Sequence, residues 1–129
     1  MRTFHQERIA QLPSSFIDTI NSIISIVMDI DDECIICKVI MFGSCSRGTY
    51  TNNSDIDLIL LLDSEKSGMS FNKLEQKVGT EIYERFSFNG KRDIDLLFAD
   101  ENVYANSTDP RSVYQRVKRD GVVLYEQLL

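Results

Sequence analysis

Four aspartates stand in two short, similar settings. Asp55 and Asp57 open an apolar run that continues to Leu62, and Asp93 and Asp95 lie within Arg92-Asp93-Ile94-Asp95-Leu96-Leu97-Phe98. Side chains alternate faces along a strand, so Asp55 and Asp57 point the same way, roughly 6.6 Å apart along the strand axis. Aspartate is depleted from strands, so two on one face at a strand entrance need a reason. Two ionised carboxylates a few ångströms apart repel by about 1–4 kcal/mol, depending on the local dielectric. A divalent cation removes that cost. Oxygen-only ligands favour Mg²⁺ or Mn²⁺ over zinc, and Mg²⁺ takes one or two carboxylates together with substrate phosphates.

A phosphate-holding partner lies just upstream. The apolar run Val39 to Phe42 breaks at Gly43-Ser44 and passes through a polar loop with a second glycine, Gly48. Glycine lets backbone approach a ligand closely and adopt positive φ. Backbone N–H groups in a tight turn make an anion-binding nest. Ser44 adds a hydroxyl donor and Arg47 a fixed-charge fork suited to phosphate oxygens. The stretch Val39 to Leu62 therefore reads as strand, phosphate-holding turn, strand, with a paired-carboxylate metal site. A blander reading stands beside it: carboxylates at a turn can simply cap loop N–H groups.

The elements that must position these groups follow from periodicity. Strands are expected over Ile35 to Phe42 and Asp55 to Leu62; both are continuous apolar runs, as in strands buried on both faces. Ser46 to Thr49 fits one helical turn, and Thr51-Asn52-Asn53-Ser54 is a turn cluster. Helical spacing of Phe16, Ile20, Ile23, Ile24, Val27 and Ile30 predicts a helix from Pro13 to Met28, with Ser15 and Asp18 as a capping box. Phe71, Leu74, Val78, Ile82 and Phe86 predict a second over Ser70 to Phe86, weakened slightly by Gly79. A third strand is expected over Arg92 to Phe98, with Asp93 and Asp95 on one face and Ile94, Leu96 and Phe98 on the other. Asp109-Pro110 reads as a helix start, Gly121 as its C-cap, and Val122 to Tyr125 as a last strand or extended tail. Residues 3–12 read as a short helical lead-in, and Asp29, Asp31, Asp32 and Glu33 as a solvated acidic loop.

Gly43-Ser44-Cys45-Ser46-Arg47-Gly48 followed by Ser54-Asp55-Ile56-Asp57-Leu58 resembles the signature of the nucleotidyltransferase superfamily that includes DNA polymerase beta. The nearest likeness is to its small single-domain members, the minimal nucleotidyltransferases (MNT), many of which pair with HEPN-domain toxins. It runs from about Leu12 to Glu126, and the ending Arg119-Asp120-Gly121-Val122-Val123-Leu124-Tyr125-Glu126 shares it. Ser46 departs from the pattern, standing where alanine is commonest. The resemblance implies an α/β (α+β) fold, a mixed sheet with helices packed on it. It implies a catalytic and metal-binding set of Asp55 and Asp57 with a third carboxylate from a later strand. Asp95 matches that place best, and Asp93 is its rival. Gly43, Ser44 and Arg47 would bind an NTP, with Mg²⁺ or Mn²⁺ bridging its phosphates. The implied reaction is metal-assisted transfer of AMP from ATP, or of another NMP, to a tyrosine hydroxyl on a HEPN-type toxin. Two other readings stay open: a stand-alone enzyme acting on a small molecule or RNA end, and a non-catalytic module that neutralises a partner by docking.

Composition sets the frame. At 129 residues the length fits one domain, 1–129, large enough for its own core. The net charge of −6 argues against broad nucleic-acid binding, which depends on neutralising phosphates. It is compatible with a nucleotide that arrives with metal. No apolar run is long enough for a membrane span, and the N-terminus lacks the apolar stretch of a signal peptide, so the expected compartment is the cytoplasm. Three cysteines do not make a disulfide framework; Cys34 and Cys37 read as small buried residues, and Cys45 as one that fits the glycine loop. His5 is assigned no role. A homo-oligomer is an open expectation.

Overall fold

The computed structural model describes residues 1–128. Five strands form one mixed sheet: β1 (Arg2–Phe4), β2 (Ile36–Phe42), β3 (Ile56–Leu62), β4 (Ile94–Asp100) and β5 (Val122–Gln127), in the spatial order β1-β5-β2-β3-β4. All pairings are antiparallel except β3 with β4, which is parallel. A parallel pair needs a crossover, and α3 (Ser64–Ser67) with α4 (Phe71–Arg85) supplies it.

The two faces of the sheet are covered unequally. Ile56, Leu58, Leu60 and Leu62 share a core with Phe16, Ile20, Ile23, Ile24 and Val27 of α1 (Ser14–Ile30) and with Leu74, Val78 and Ile82 of α4. Ile59 and Leu61, on alternate positions of β3, join Ile40, Ala99 and Val117 in a smaller cluster on the other face. That second face is covered by α5 (Glu101–Asn106) and α6 (Val113–Asp120). Asp57 belongs to the row of Ile59 and Leu61, and Asp95 to the row of Leu97 and Ala99. The carboxylates thus sit on the thinly covered face, at the end where β2 finishes and β3 and β4 begin. Among the described residues no helix is long and apolar enough to cross a membrane.

The fold departs from the sequence reading in several places. The expected helical lead-in is a short edge strand, β1, followed by a 3-10 turn at Gln6–Ile9; Phe4 pairs with Tyr125, and Ile9 and Leu12 are buried. The Ser15/Asp18 capping box does not form. Pro13 is the cap residue of α1 and gives no side-chain bond, so Ser15 falls inside the first turn, where its carbonyl accepts from the Thr19 hydroxyl at 2.7 Å. Asp31 is not solvated: it is buried, and its two carboxylate oxygens accept from the Ile35 and Ile36 N–H groups at 2.8 Å each. The Arg2 guanidinium, bonded to the Met28 and Asp31 carbonyls, closes the end of α1 beside it.

The segment after Ala99 contains α5 where only polar loop was expected. Asp109-Pro110 is not the helix start. Asp109 accepts from the Arg111 N–H within a turn, and Ser112 caps α6 by accepting from the Tyr114 N–H at 3.1 Å. Gly121 follows α6 with an ordinary φ of −70°, so it is not a left-handed cap. It is glycine because a Cβ there would press on the Val117 carbonyl and lie 2.8 Å from Ile40 Cγ2. This close approach seats the end of α6 on β2. Cys34 and Cys37 are half-buried rather than buried. His5, given no role, bonds Glu126 across the β1–β5 end at 2.7 Å.

Candidate active site

The turn after β2 is shaped by Gly43, whose φ of +74° and ψ of −152° lie in a region open essentially to glycine alone. α2 (Ser44–Arg47) follows as a single turn, in place of the expected Ser46 to Thr49, and Gly48 ends it in the left-handed conformation. The Gly43 carbonyl accepts from the Arg47 N–H at 3.2 Å and from the Ser46 hydroxyl at 2.9 Å. Ser46, the departure from the familiar pattern, is therefore satisfied inside the turn. Cys45 is buried, with its sulfur 3.7 Å from the Asp55 carbonyl; burial and then the Asp57 charge push its thiol up.

Gly43 and Asp57 are fitted to each other. A Cβ on Gly43 would lie 3.2 Å from Asp57 Cγ and would collide with its Oδ2. The Asp57 carboxylate rests over the bare α-carbon of the turn. In the sheet, Asp57 is level with Asp95 of β4 and with Phe42 of β2. Burial pushes the Asp57 carboxyl above its usual range, and the charges of Asp95 and then Asp55 add to the rise, while Arg47 opposes it. Asp55 precedes β3 and is exposed, as is Asp95. The parallel register thus brings Asp95, rather than Asp93, beside Asp57; Asp93 holds the strand start, its carbonyl accepting from the Ile56 N–H at 2.9 Å.

Arg92, unremarked in the sequence, braces the approach to Asp55. Its guanidinium donates to the Ser54 carbonyl at 2.9 Å and lies 4.8 Å from the centroid of the Phe16 ring, and its N–H donates to the Thr19 hydroxyl at 2.8 Å. Arg116 and Asp120 were missed as well. They extend from α6 into a cleft of about 190 Å³ that Gly43, Arg47 and Asp57 also line. No local signal marks them, because their place depends on where α6 packs.

The three candidate donors Asp55, Asp57 and Asp95 are all oxygen, and the Asp57 carboxyl is raised first by burial and then by the Asp95 and Asp55 charges, with Arg47 opposing. Hard divalent cations suit such a set. A second cluster, Cys37, Asp63 and Glu101, lies at the opposite end of the strands, with ligand atoms within 4.8 Å of one another. Its own hydrogen bonds account for it: the Cys37 thiol donates to Glu101 at 3.0 Å, and Asp63 caps α3 by accepting from the Lys66 N–H at 2.9 Å. Burial and the Glu101 hydrogen bond push the Cys37 thiol well up. A larger cavity of about 330 Å³, between the end of α1, β2 and α4, is likewise far from the aspartates.

A family model described as nucleotidyltransferase domain matches residues 20–119. Among solved structures, the chain is similar to a toxin–antitoxin crystal structure with AMP-PNP, at 24% identity over 83% of this chain and 73% of that one, with a TM-score of 0.45. It is similar to a mutant of the toxin–antitoxin MntA–HpeT, at 22% identity over 83% and 73%, with a TM-score of 0.45. It is also similar to a candidate nucleotidyltransferase from Sulfolobus solfataricus, at 20% identity over 88% and 89%, with a TM-score of 0.47. No curated protein matches.

Proposed function

The chain belongs to the nucleotidyltransferase-domain family, and from that premise we propose that it moves a nucleoside monophosphate, AMP from ATP in the first instance, onto a hydroxyl of a partner protein. Its acceptor would be a tyrosine of a HEPN-type toxin in the cytoplasm, and the chain, acting as one domain, its antitoxin. The observation that carries the reading is the level pairing of Asp57 with Asp95 over the bare α-carbon of Gly43. A structural carboxylate pair has no need of that arrangement, and its repulsion works against folding.

Asp55, Asp57 and Asp95 would hold Mg²⁺ or Mn²⁺, which when bound neutralises phosphate charge and makes an acceptor hydroxyl easier to ionise. Gly43 and Ser44 would receive the phosphates, and the exposed Arg47 beside Asp57 would add positive charge. The acceptor oxygen attacks the α-phosphorus, the bond to the α,β-bridging oxygen breaks, and pyrophosphate leaves with both electrons of that bond. Asp95, exposed like Asp55, would take the acceptor proton.

The test uses purified protein, Mg²⁺ and each α-labelled NTP, with and without the product of the adjacent gene. The double variant Asp55→Asn/Asp57→Asn runs in parallel. Label should reach the partner with wild type only. If no nucleotide gives transfer while both versions still bind and silence the partner, the protein is a docking module.

A further inference from the structure

We propose that Arg116 of α6 is, with Arg47, one of two arms that grip the β- and γ-phosphates of the nucleotide, and that the cleft between them is the berth of the departing pyrophosphate. The proposal rests on the nucleotidyl-transfer reading and adds which side of the site the leaving group occupies.

The arginines themselves point to this cleft. Arg2 donates to the Met28 and Asp31 carbonyls, Arg8 to the Val123 carbonyl and Arg92 to the Ser54 carbonyl. Arg85 pairs with Asp29, Arg111 with Asp109 and Arg119 with Asp120. Among the described residues, Arg47 and Arg116 are the two arginines with no side-chain hydrogen bond or ion pair, and both line the cleft that opens at Gly43 and Asp57. In a chain of net charge −6, two guanidinium groups free of side-chain hydrogen bonds and ion pairs thus face one small cleft, with the Asp57 carboxylate on its wall. Arginine's planar fork suits phosphate oxygens. Asp120, the other carboxylate on the cleft, is held by Arg119 at 3.2 Å, which offsets its charge.

Size and placement agree with a phosphate tail. The cleft of about 190 Å³ is smaller than pockets that enclose a whole drug-sized ligand, roughly 300 Å³ and above. Asp57 forms one wall, so a polyphosphate lying there would have a metal-binding carboxylate at one end and guanidinium groups along its length. The arm is firmly based. Val113, Arg116, Val117 and Asp120 fall on one side of α6; Val117 there is buried in the core and Gly121, one residue past the helix, is pressed onto Ile40, so the helix that carries Arg116 is seated on β2. The base and sugar are left for the Asp55 and Asp95 side.

Calorimetric titration of MgATP, Mg-pyrophosphate and AMP into wild type, Arg116→Ala, Arg116→Lys and the control Arg111→Ala tests this. Losing charge-assisted contacts to phosphate should weaken MgATP and Mg-pyrophosphate binding about 10–100-fold in Arg116→Ala. AMP binding and the melting temperature should stay unchanged, Arg116→Lys should recover part of the loss, and Arg111→Ala should behave as wild type. If Arg116→Ala binds MgATP and pyrophosphate as wild type does, or loses AMP equally, the assignment of Arg116 is overturned while the transfer reading stands. If wild type itself binds no nucleotide, both fall.

Discussion

Gly43→Ala probes the contact on which the site is built. The φ of +74° and ψ of −152° at Gly43 cost an alanine about 1–3 kcal/mol through the backbone alone. At roughly 3–5 °C per kcal/mol for a domain of this size, the melting temperature should fall by about 3–15 °C. The added methyl does more than strain the chain. It would occupy the place of Asp57 Oδ2 and lie 3.2 Å from Cγ, so the carboxylate must swing away from the turn. A metal-binding group displaced by about 1 Å loses roughly 100-fold in a reaction that depends on its position. Gly48→Ala is the matched control. Gly48 has a φ of +75°, but a Cβ there meets nothing within 4 Å. It should lose about 1–2 kcal/mol and keep its metal affinity. Scanning calorimetry reads the stabilities, and Mn²⁺ titration followed by electron paramagnetic resonance reads the site. Gly43→Ala should bind Mn²⁺ at least tenfold more weakly than Gly48→Ala. Equal Mn²⁺ affinity in the two variants would refute the reasoning, because the turn would then not be holding Asp57.

Three further outcomes follow from the same structure. Asp57 has its carboxyl raised in the folded state by burial and by Asp95 and Asp55, so its contribution to stability is fully present below the unfolded value and is lost as pH rises through the raised one. In metal-free buffer Asp57→Asn should therefore be more stable than wild type at neutral pH, by about 1 kcal/mol once solvent screening is allowed for, and the gap should close in acid; a less stable variant in thermal melts at pH 7 would contradict this. Asp31→Ala should cost about 2–4 kcal/mol, because it strands the buried Ile35 and Ile36 N–H groups, and urea unfolding measures it. Gly121→Ala should cost about 1–3 kcal/mol despite its unstrained φ, since the methyl presses on Ile40 and the Val117 carbonyl; a melting temperature equal to wild type would show that α6 can lift off β2 freely.

The candidate site was legible in the sequence where its residues lie in one contiguous stretch. Strand, glycine turn and strand specify Gly43, Asp55 and Asp57 locally, and the long apolar runs give both core strands. What depends on long-range pairing was not written there. Asp93 and Asp95 are equivalent by alternation, and the parallel register of β3 with β4 separates them. Asp31 looks like one member of an acidic loop, and its burial comes from the start of β2 folding back over it. β1 is three residues long and exists because β5, at the far end of the chain, offers an edge. Arg116 has the local setting of an ordinary surface arginine until α6 is seated on β2.

The most direct measurement is the intact mass of the partner protein after incubation with wild type, Mg²⁺ and ATP. Nucleotidyl transfer requires a gain of one nucleoside monophosphate, matched by pyrophosphate in solution, and no gain with Asp55→Asn/Asp57→Asn. A gain of phosphate alone would contradict it, as would an unmodified partner silenced equally by wild type and the double variant.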